Sequence, residues 1–334
     1  MLRTARRHSL FDHGARVLVA LSGGADSVAL LEVLRELERD GHVTVAGVAH
    51  FNHRLRGAAA DADEAFCRVL ASQIGVPVEV GSADVRALAR EQGRSIEDAA
   101  RAARYEFLAG AAERLRADVI AVARTRDDQA ETFLLRLLRG AGPRGLTGIH
   151  PRAGRVVRPL IDVSRAELRA YAAERALDFR EDETNRDVAI PRNRVRHELI
   201  PYLEREFSPG IVDVLAREAA IARDDEDRLQ IEAIDLARSV VLMGNDGTVE
   251  VDTAGLTSLH PAMAARVARL ALGRLAKTRF VGFDHIEALL EFARTATNGA
   301  ALSLPGQQAV RRGPRIVLGP EPPRPPRAAR GPVE

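Results

Sequence analysis

The sequence predicts an α/β protein with a doubly wound, mostly parallel sheet, followed by a helical linker and a small α+β C-terminal domain. Two observations predict it. Short runs rich in β-branched residues alternate with longer stretches of helical period through the first half, which is typical of βαβ units. Most of these short runs are apolar enough to be buried on both faces, as strands between two layers of helices are. Ligands bind such sheets beyond the carboxyl ends of the strands, so we expect the functional site there.

Each element of the first half follows from its local residue pattern. Strands are predicted at Val17–Leu21, Val43–Phe51, Val76–Val80 and Val119–Ala123. Helices are predicted at Ser27–Arg39, Asp61–Ile74, Ala83–Glu91, Ile96–Arg116, Asp127–Arg139 and Ser164–Arg175. Strand and helix therefore alternate as far as the fourth strand.

The second half changes character. A polar, irregular stretch over Asp178–Arg196 is followed by continuous helical period over Ile211–Val240, and Val249–Leu304 carries strand, helix, helix and strand signals. The final Pro320–Glu334 is rich in Pro and Arg and has no periodicity. These patterns predict an α/β domain over 1–205, a linker over 206–242, a small domain over 243–319 and a disordered tail over 320–334.

Composition excludes several classes of protein. The chain has 334 residues, 46% hydrophobic and 29% charged, and no apolar run approaches the roughly 18 residues that span a bilayer. The apolar run after the basic N-terminus is too short for an export signal, so we expect a cytoplasmic protein without membrane contact. A single cysteine, Cys67, excludes an internal disulfide and a cysteine-ligated zinc or iron–sulfur site within one chain. Lys277 is the only lysine and lies in no Walker-type phosphate loop.

The clearest motif lies at Ser22–Ser27, which reads Ser-Gly-Gly-Ala-Asp-Ser between a buried strand and a helix. Its glycines let the backbone approach a phosphate, and the N–H groups of a helix N-terminus attract an anion. The hydroxyls of Ser22 and Ser27 add donors. An ordinary Gly-rich turn with an N-cap residue is the alternative, but the strand–loop–helix context favours a phosphate loop.

A second cluster follows the second predicted strand. His50, His53, Arg54 and Arg56 lie within seven residues. A lone histidine at a strand end is usually a satisfied polar residue, but two histidines and two arginines are improbable as plain surface. This cluster is therefore a candidate binding segment.

Two helices carry charged residues at helical spacing. In the first, Glu97 and Arg101 on periodicity alone are only an i,i+4 surface pair. In the second, Asp127, Asp128 and Glu131 place three carboxylates on one face at the carboxyl edge of the sheet. Acidic residues that complement the helix dipole are the alternative, but the pattern is also that of a cation-binding face. Arg136 and Arg139 at the end of this helix could complement the dipole or bind phosphate.

The motifs, taken in order, resemble a known family. Ser22–Ser27 resembles the PP-loop of ATP pyrophosphatases, and the strings from Val17 to Pro201 resemble the tRNA(Ile)-lysidine synthetase family in order and spacing. Further matching pieces are Arg158–Leu160, Asp182–Asn185 and Pro191–Pro201. The second domain resembles the family more loosely, through Leu302–Gly306 and the two helices before it.

This resemblance implies an ATP-dependent enzyme acting on the isoleucine tRNA with a CAU anticodon. The C2 oxygen of the wobble cytidine would attack the α-phosphate of ATP, releasing pyrophosphate, and L-lysine would then displace AMP. An ATP site with Mg²⁺ must therefore adjoin a base pocket. The first domain would be the ATP-binding catalytic domain and the small domain would bind tRNA. The oligomeric state is left open, with a homodimer as one alternative.

By position in the motifs, the resemblance also assigns roles to residues. ATP would be bound by Ser22, Gly23, Gly24, Asp26, Ser27 and His50, with Asp26 also the magnesium ligand. L-lysine would be bound by Asp128 and Glu131, and the phosphates or tRNA by Arg101, Arg104, Arg194 and Arg196. Further substrate-binding residues would be His53, Arg56 and Arg139. The catalytic residues would be Asp26, Asp128, Arg101 and Arg194. The group that deprotonates lysine is left open among Asp26, Asp128 and His53.

Two alternative functions are weighed against this one. A PP-loop tRNA thiolase uses the same adenylation but needs a cysteine pair or cluster, which Cys67 alone cannot supply. A catalytically inactive tRNA- or nucleotide-binding protein is the other alternative. Pyrophosphate release separates it from the two enzymes.

The sequence departs from the family pattern at Arg124. The strand before the acidic helix usually ends Ala-His-x-x-Asp-Asp in this family, but here Arg124 follows Ala123. Arginine can donate hydrogen bonds but cannot act as a base at any accessible pH. Its guanidinium could neutralise phosphate charge, or it could pair with Asp127 or Asp128 and occupy the lysine site.

Overall fold

A computed structural model describes residues 1–55, 57–181, 187–244, 246–276 and 279–321. Arg56, the Asp182–Asn185 motif, Lys277 and the predicted tail beyond Glu321 lie outside the described residues. The chain divides into two compact units, Met1–Arg223 and Asp224–Glu334. A single helix, Ile211–Val240, continues across this boundary.

The first unit is built on a six-stranded sheet. Its strands are β1 (Ala15–Ala20), β2 (Val43–Asn52), β3 (Val78–Ser82), β4 (Val119–Val122), β5 (Arg152–Ala153) and β6 (Val156–Val157). They lie in the order β3-β2-β1-β4-β6-β5, and every neighbouring pair is parallel except the short β5–β6 pair. The prediction of a doubly wound, mostly parallel sheet is confirmed.

Helices of the first unit cover both faces of this sheet, and further helices follow its last strand in the chain. They are α1 (Leu2–Arg7), α2 (Ala25–Arg39), α3 (Ala58–Ile74), α4 (Val85–Gln92), α5 (Ile96–Arg114), α6 (Arg126–Leu138), α7 (Pro143–Leu146), α8 (Arg165–Glu174), α9 (Pro191–Arg194) and α10 (Ile200–Glu206). A π-helical turn, Val195–Leu199, joins α9 to α10. The helix Ile211–Val240 is α11.

Alternation along β1 explains the two layers. Val17 and Val19 pack into a core with α2, α3 and α8, whereas Leu18 packs into a second core with α5. Successive side chains of a strand point to opposite faces, so a strand buried on both faces needs apolar residues at every position.

Two local features differ from the predicted strand limits for physical reasons. The third strand begins at Val78 rather than at Val76, after Pro77, which has no N–H for a sheet ladder. In β2, Gly47 lies at a register shift against β1, and a Cβ there would lie 2.7 Å from the Pro77 carbonyl oxygen. Only glycine fits this approach of the two chain segments.

The second unit is a smaller α+β domain. Its five-stranded antiparallel sheet has the order β7-β8-β11-β10-β9, from β7 (Val241–Met243), β8 (Val249–Asp252), β9 (Ala301–Leu304), β10 (Gln307–Arg312) and β11 (Arg315–Pro320). Its shorter helices are α12 (Thr253–Ser258), α13 (Pro261–Gly273) and α14 (Phe283–Thr295). The predicted strand–helix–helix–strand pattern lacked the β10–β11 hairpin. Both hairpin strands are only half buried and carry arginine, which hides their alternation.

The sheet of the first unit places the carboxyl ends of β1, β2 and β4 side by side. Within the described residues, no helix is long and apolar enough to span a lipid bilayer.

Candidate active site

The loop between β1 and α2 forms a compact turn around one hydroxyl. Ser27 Oγ donates a hydrogen bond to the Gly24 carbonyl oxygen (2.9 Å) and accepts one from the Ser22 amide N–H (3.2 Å). It also lies 3.0 Å from Ser22 Oγ. Gly23 has φ +88°, a conformation that side chains other than glycine rarely adopt. Gly24 is the N-cap residue of α2 and provides no capping side chain. The N-terminus of this 15-residue helix is therefore suited to an anion.

Asp26 stands in the first turn of α2. Burial raises the pKa of its carboxyl, the nearby Arg165 guanidinium lowers it, and the carboxylate of Asp128 raises it again, with a net upward shift. A carboxylate held in this way is stabilised by a cation. Asp26 therefore fits a role beside a metal ion and phosphates.

The acidic helix α6 begins directly after β4 with a capping box, in which Thr125 Oγ1 and the Asp128 carboxylate each accept an N–H of the other residue. Asp128 is 5% exposed and Glu131 has no exposed surface. Burial alone would raise the pKa of Asp128, but the guanidinium groups of Arg124 and Arg192 hold it below its usual value.

Arginines from separate segments surround this carboxylate pair. Glu131 accepts hydrogen bonds from Arg196 Nε (2.6 Å), Arg192 Nε (2.8 Å) and Arg165 Nη2 (3.1 Å). Asp128 Oδ1 accepts from Arg192 Nη2 at 2.9 Å. These charge-assisted hydrogen bonds hold the two carboxylates in fixed positions.

The π-helical turn lies inside the segment that supplies two of these arginines. Pro201 has no backbone N–H, so the i→i−4 hydrogen bond to the His197 carbonyl cannot form. Arg192 precedes the turn and Arg196 lies within it, and both reach Glu131. The irregular helix thus delivers two guanidinium groups to one carboxylate.

His50 lies at the end of β2 with a fixed tautomer. Its Nδ1 lies 3.0 Å from the Leu21 carbonyl oxygen, which can only accept, so Nδ1 carries the proton. Cys67 Sγ lies 3.3 Å from the same nitrogen. Burial lowers the pKa of His50, so the ring is neutral at pH 7. Among the described residues its buried Nε2 has no hydrogen-bond partner, and its Nδ1 contact attaches the end of β2 to the residue that precedes the Ser22–Ser27 loop.

A cavity of about 1120 Å³ joins these elements at the carboxyl edge of the sheet. Of the predicted site residues, its wall includes Ser22, Gly24, Asp26, Ser27, His50, His53, Arg104, Asp128 and Arg196. The phosphate loop and the arginine-bound carboxylates therefore face one space.

Other predicted site residues do not line this cavity. Glu131 has no exposed surface, and the Gly23 carbonyl accepts a hydrogen bond from the Arg180 amide at 3.0 Å. Arg101 is exposed on α5 with its guanidinium 4.9 Å from the centre of the Tyr105 ring. Two further residues, Arg139 at the C-cap of α6 and Arg194 with Nε on the Val188 carbonyl, are also exposed. The predicted catalytic roles of Arg101 and Arg194 and the predicted substrate-binding role of Arg139 stay predictions.

Sequence reasoning missed several residues that the structure brings to the site. Arg165 and Arg192 bind the carboxylate pair, and Arg180 and Phe179 line the cavity beside the phosphate loop. The i,i+4 spacing of Arg192 and Arg196 was the one available signal. Nothing local in the sequence pairs either residue with α6.

The fold and the phosphate loop define a nucleotide-binding PP-loop protein, and residues 3–203 match the PP-loop domain family. Residues 252–316 match the TilS substrate binding domain. The tRNA(Ile)-lysidine synthase of Leifsonia xyli subsp. xyli is 37% identical over 322 residues, which cover 95% of this chain and 93% of that protein. The chain belongs to the tRNA(Ile)-lysidine synthase family.

A longer relative supports this family assignment, and a solved structure shares the fold. The tRNA(Ile)-lysidine synthase of Geobacter sulfurreducens is 42% identical over 313 residues, which cover 91% of this chain but 65% of that protein. The U34-tRNA thiolase NcsA from Methanococcus maripaludis, solved with its [4Fe-4S] cluster, matches 66% of this chain and 77% of its own with a TM-score of 0.51. At 16% identity this likeness concerns the fold alone.

Proposed function

We propose that the protein ligates L-lysine to C2 of the wobble cytidine of the CAU-anticodon isoleucine tRNA, at the expense of ATP. The observation that carries the proposal is the single cavity shared by the Ser22–Ser27 loop and the arginine-bound Asp128. Membership in the tRNA(Ile)-lysidine synthase family supports the same reaction. Because the substrates are a tRNA and ATP, the proposal places the protein in the cytoplasm.

In the first half-reaction, the cytidine C2 oxygen attacks the α-phosphate of ATP and pyrophosphate leaves. The helix N-terminus behind Gly24 and the hydroxyls of Ser22 and Ser27 would hold the phosphates. Guanidinium groups of Arg165 and Arg196, which line the same cavity, would neutralise charge that builds up on them.

Magnesium fits this donor set. No group of three or more His, Cys, Asp or Glu able to hold a metal occurs among the described residues. Mg²⁺ needs no such group, because one or two carboxylates, substrate phosphates and water complete its shell. Asp26 would supply the carboxylate, and the bound ion would shield the negative charge of the triphosphate.

In the second half-reaction, the lysine ε-amine attacks C2 and AMP leaves. Asp128 reaches the cavity and would bind the ammonium, whereas the buried Glu131 would hold the arginines that frame it. The prediction that Glu131 itself binds lysine would require an arginine to be displaced. Of the two candidate carboxylates Asp128 is the weaker base, because its pKa is lowered while that of Asp26 is raised.

An assay with radiolabelled lysine, ATP, Mg²⁺ and CAU-anticodon tRNA tests the proposal. We expect tRNA-dependent pyrophosphate release without lysine, and labelled tRNA once lysine is added. A tRNA with a different wobble base is the control. Pyrophosphate release without lysine transfer would contradict the ligase function, and no release at all would indicate a binding protein.

A further inference from the structure

Three large apolar side chains that line the cavity are also partly exposed, and we call them the lip. Leu55, Phe179 and Ile190 are 37%, 38% and 43% exposed, and all three line the cavity that contains Asp26 and Asp128. They come from three separate segments, after β2, after α8 and before α9. Single exposed apolar residues are common on proteins, but their convergence on one cavity is typical of a binding surface.

The next residue fixes the position of Phe179. The Arg180 amide donates to the Gly23 carbonyl at 3.0 Å, and Arg180 Nε donates to Asp63 Oδ1 at 2.5 Å. Asp63 is 8% exposed, so this contact attaches the segment to the body of the domain. A ligand group resting on Phe179 would therefore lie beside phosphates bound at the Ser22–Ser27 loop.

The chemistry around the lip favours a nucleobase as its occupant. Arg86, Arg169 and Arg180 line the same cavity as Phe179. An aromatic face next to guanidinium groups suits a flat heterocycle that carries phosphates, since the ring stacks while the arginines meet the charge. A purely apolar ligand would instead desolvate these arginines without compensation.

Two nucleobases enter the proposed reaction, and the position of the lip separates them. The cavity floor is formed by buried side chains, including Ala49, Leu108 and Val122, and suits the small nucleotide. Phe179 instead stands at the solvent-exposed rim, where a base presented by a macromolecule must enter. An enzyme that modifies a base must take it out of its stack, which costs stacking energy that a new aromatic partner restores.

We propose that Phe179 is the platform on which the cytosine to be adenylated stacks, with Leu55 and Ile190 at its edges. This inference rests on the proposed function, which supplies the cytosine. It assigns a substrate-positioning role to a residue outside every recognised motif of the chain.

Binding of a short anticodon stem–loop RNA tests the stacking without requiring catalysis. Fluorescence anisotropy would compare the CAU stem–loop with the same RNA carrying an abasic wobble position. For the unaltered protein we expect loss of the base to weaken binding roughly 5- to 150-fold, the range of one stacked base. Phe179→Ala should bind both RNAs equally, at the affinity that the unaltered protein shows for the abasic RNA.

Matched variants identify the interaction as stacking. Phe179→Tyr and Phe179→Trp should keep discrimination between the two RNAs, whereas Phe179→Leu should lose it. Phe207→Ala removes a 70% exposed aromatic outside the cavity and should change neither affinity. ATP affinity, measured by calorimetry without RNA, should be unchanged in all of them.

Three results would overturn the inference. The first is that the losses of affinity caused by the abasic RNA and by Phe179→Ala add together. The second is that Phe179→Leu still discriminates between the two RNAs. The third is a weakened ATP affinity in Phe179→Ala, which would place adenine on the ring. If the unaltered protein bound the stem–loop and discriminated the base but released no pyrophosphate, the proposed function would fail while the stacking stood.

Discussion

The ionised carboxylate of Asp26 lowers the stability of the folded state. Burial raises the pKa of its carboxyl, so the folded state binds the proton more tightly than the unfolded state does. Above that pKa the ionised carboxylate therefore destabilises the fold, and stability returns as pH falls through it. A carboxylate kept at such a position is expected to serve chemistry rather than folding.

We predict that Asp26→Asn abolishes tRNA-dependent ATP–pyrophosphate exchange while raising the thermal unfolding midpoint at pH 7. The activity should fall below roughly a tenth of the original, because a neutral amide is a poor partner for magnesium. The stability gain should shrink as pH falls through the pKa of Asp26. Asp12→Asn, at an exposed position, is the control. Retained exchange or a lowered midpoint would contradict the assignment.

Arg124 pairs with the carboxylate assigned to lysine. Its Nη1 lies 3.8 Å from Asp128 Oδ1. The sequence left open whether Arg124 neutralises phosphate or pairs with an acidic residue of α6, and this distance corresponds to the pairing. Burial lowers the pKa of Arg124, but a guanidinium stays protonated at any accessible pH. Arg124 therefore competes with a lysine ammonium for the same oxygen.

We expect Arg124→His to raise lysidine formation with little change in pyrophosphate release, since a histidine frees Asp128 and can accept a proton. Arg124→Gln removes the charge but supplies no base, so it separates the two effects. Equal lysidine rates for all three proteins would show the position to be a spectator. An increase confined to pyrophosphate release would place Arg124 in the ATP site instead.

At the scale of elements, α6, α8 and the α9–π segment are joined through Glu131. This carboxylate, with no exposed surface, binds arginines from both other segments. Removing one partner of a buried ion pair leaves charges without compensation. The contact therefore fixes how these helices meet around the cavity.

We predict that Glu131→Ala lowers the free energy of unfolding by about 3–5 kcal/mol, measured by urea denaturation. Glu106→Ala on the exposed face of α5 should change it by less than about 0.5 kcal/mol. Asp128→Ala should instead weaken lysine use by about ten- to a hundredfold while pyrophosphate release persists. A stable Glu131→Ala protein with impaired lysine use would restore the direct contact predicted from the motif.

Local pattern predicted the elements well and their ionic contacts poorly. Strands β1, β2, β3 and β4 lie within two residues of their predicted limits, because each is a short run rich in apolar, β-branched residues between polar or helical stretches. The arginines on Glu131 lie 34, 61 and 65 positions away in the chain, and periodicity reports only near neighbours. The two-residue strands β5 and β6 are too short to show any period.

At the scale of the molecule, the second unit has a core of its own. Leu272, Leu289 and Ile316 are fully buried within it. Exposed arginines occur on its surface at Arg274, Arg279, Arg294, Arg312 and Arg315. The division at Arg223 falls inside the continuous pattern of α11, so the sequence could not show where the first unit ends.

We predict that deleting residues 224–334 weakens tRNA binding more than ATP binding. Phosphate contacts release counterions, so the deletion should also flatten the dependence of tRNA affinity on salt concentration. A cooperative thermal transition of the shortened chain would show that the first unit stays folded. An unchanged salt slope would indicate that the second unit is structural only.

The chemistry of Cys67 has a practical consequence. Burial raises the pKa of this thiol to about 12, and it lies with no exposed surface beneath the phosphate loop. Thiolate is the reactive form, so maleimide dyes should leave the native chain unlabelled. Dyes would then attach only to cysteines introduced on purpose. One such cysteine on each unit would allow a pair of labels to report in real time whether the two units move when tRNA arrives, without first replacing Cys67.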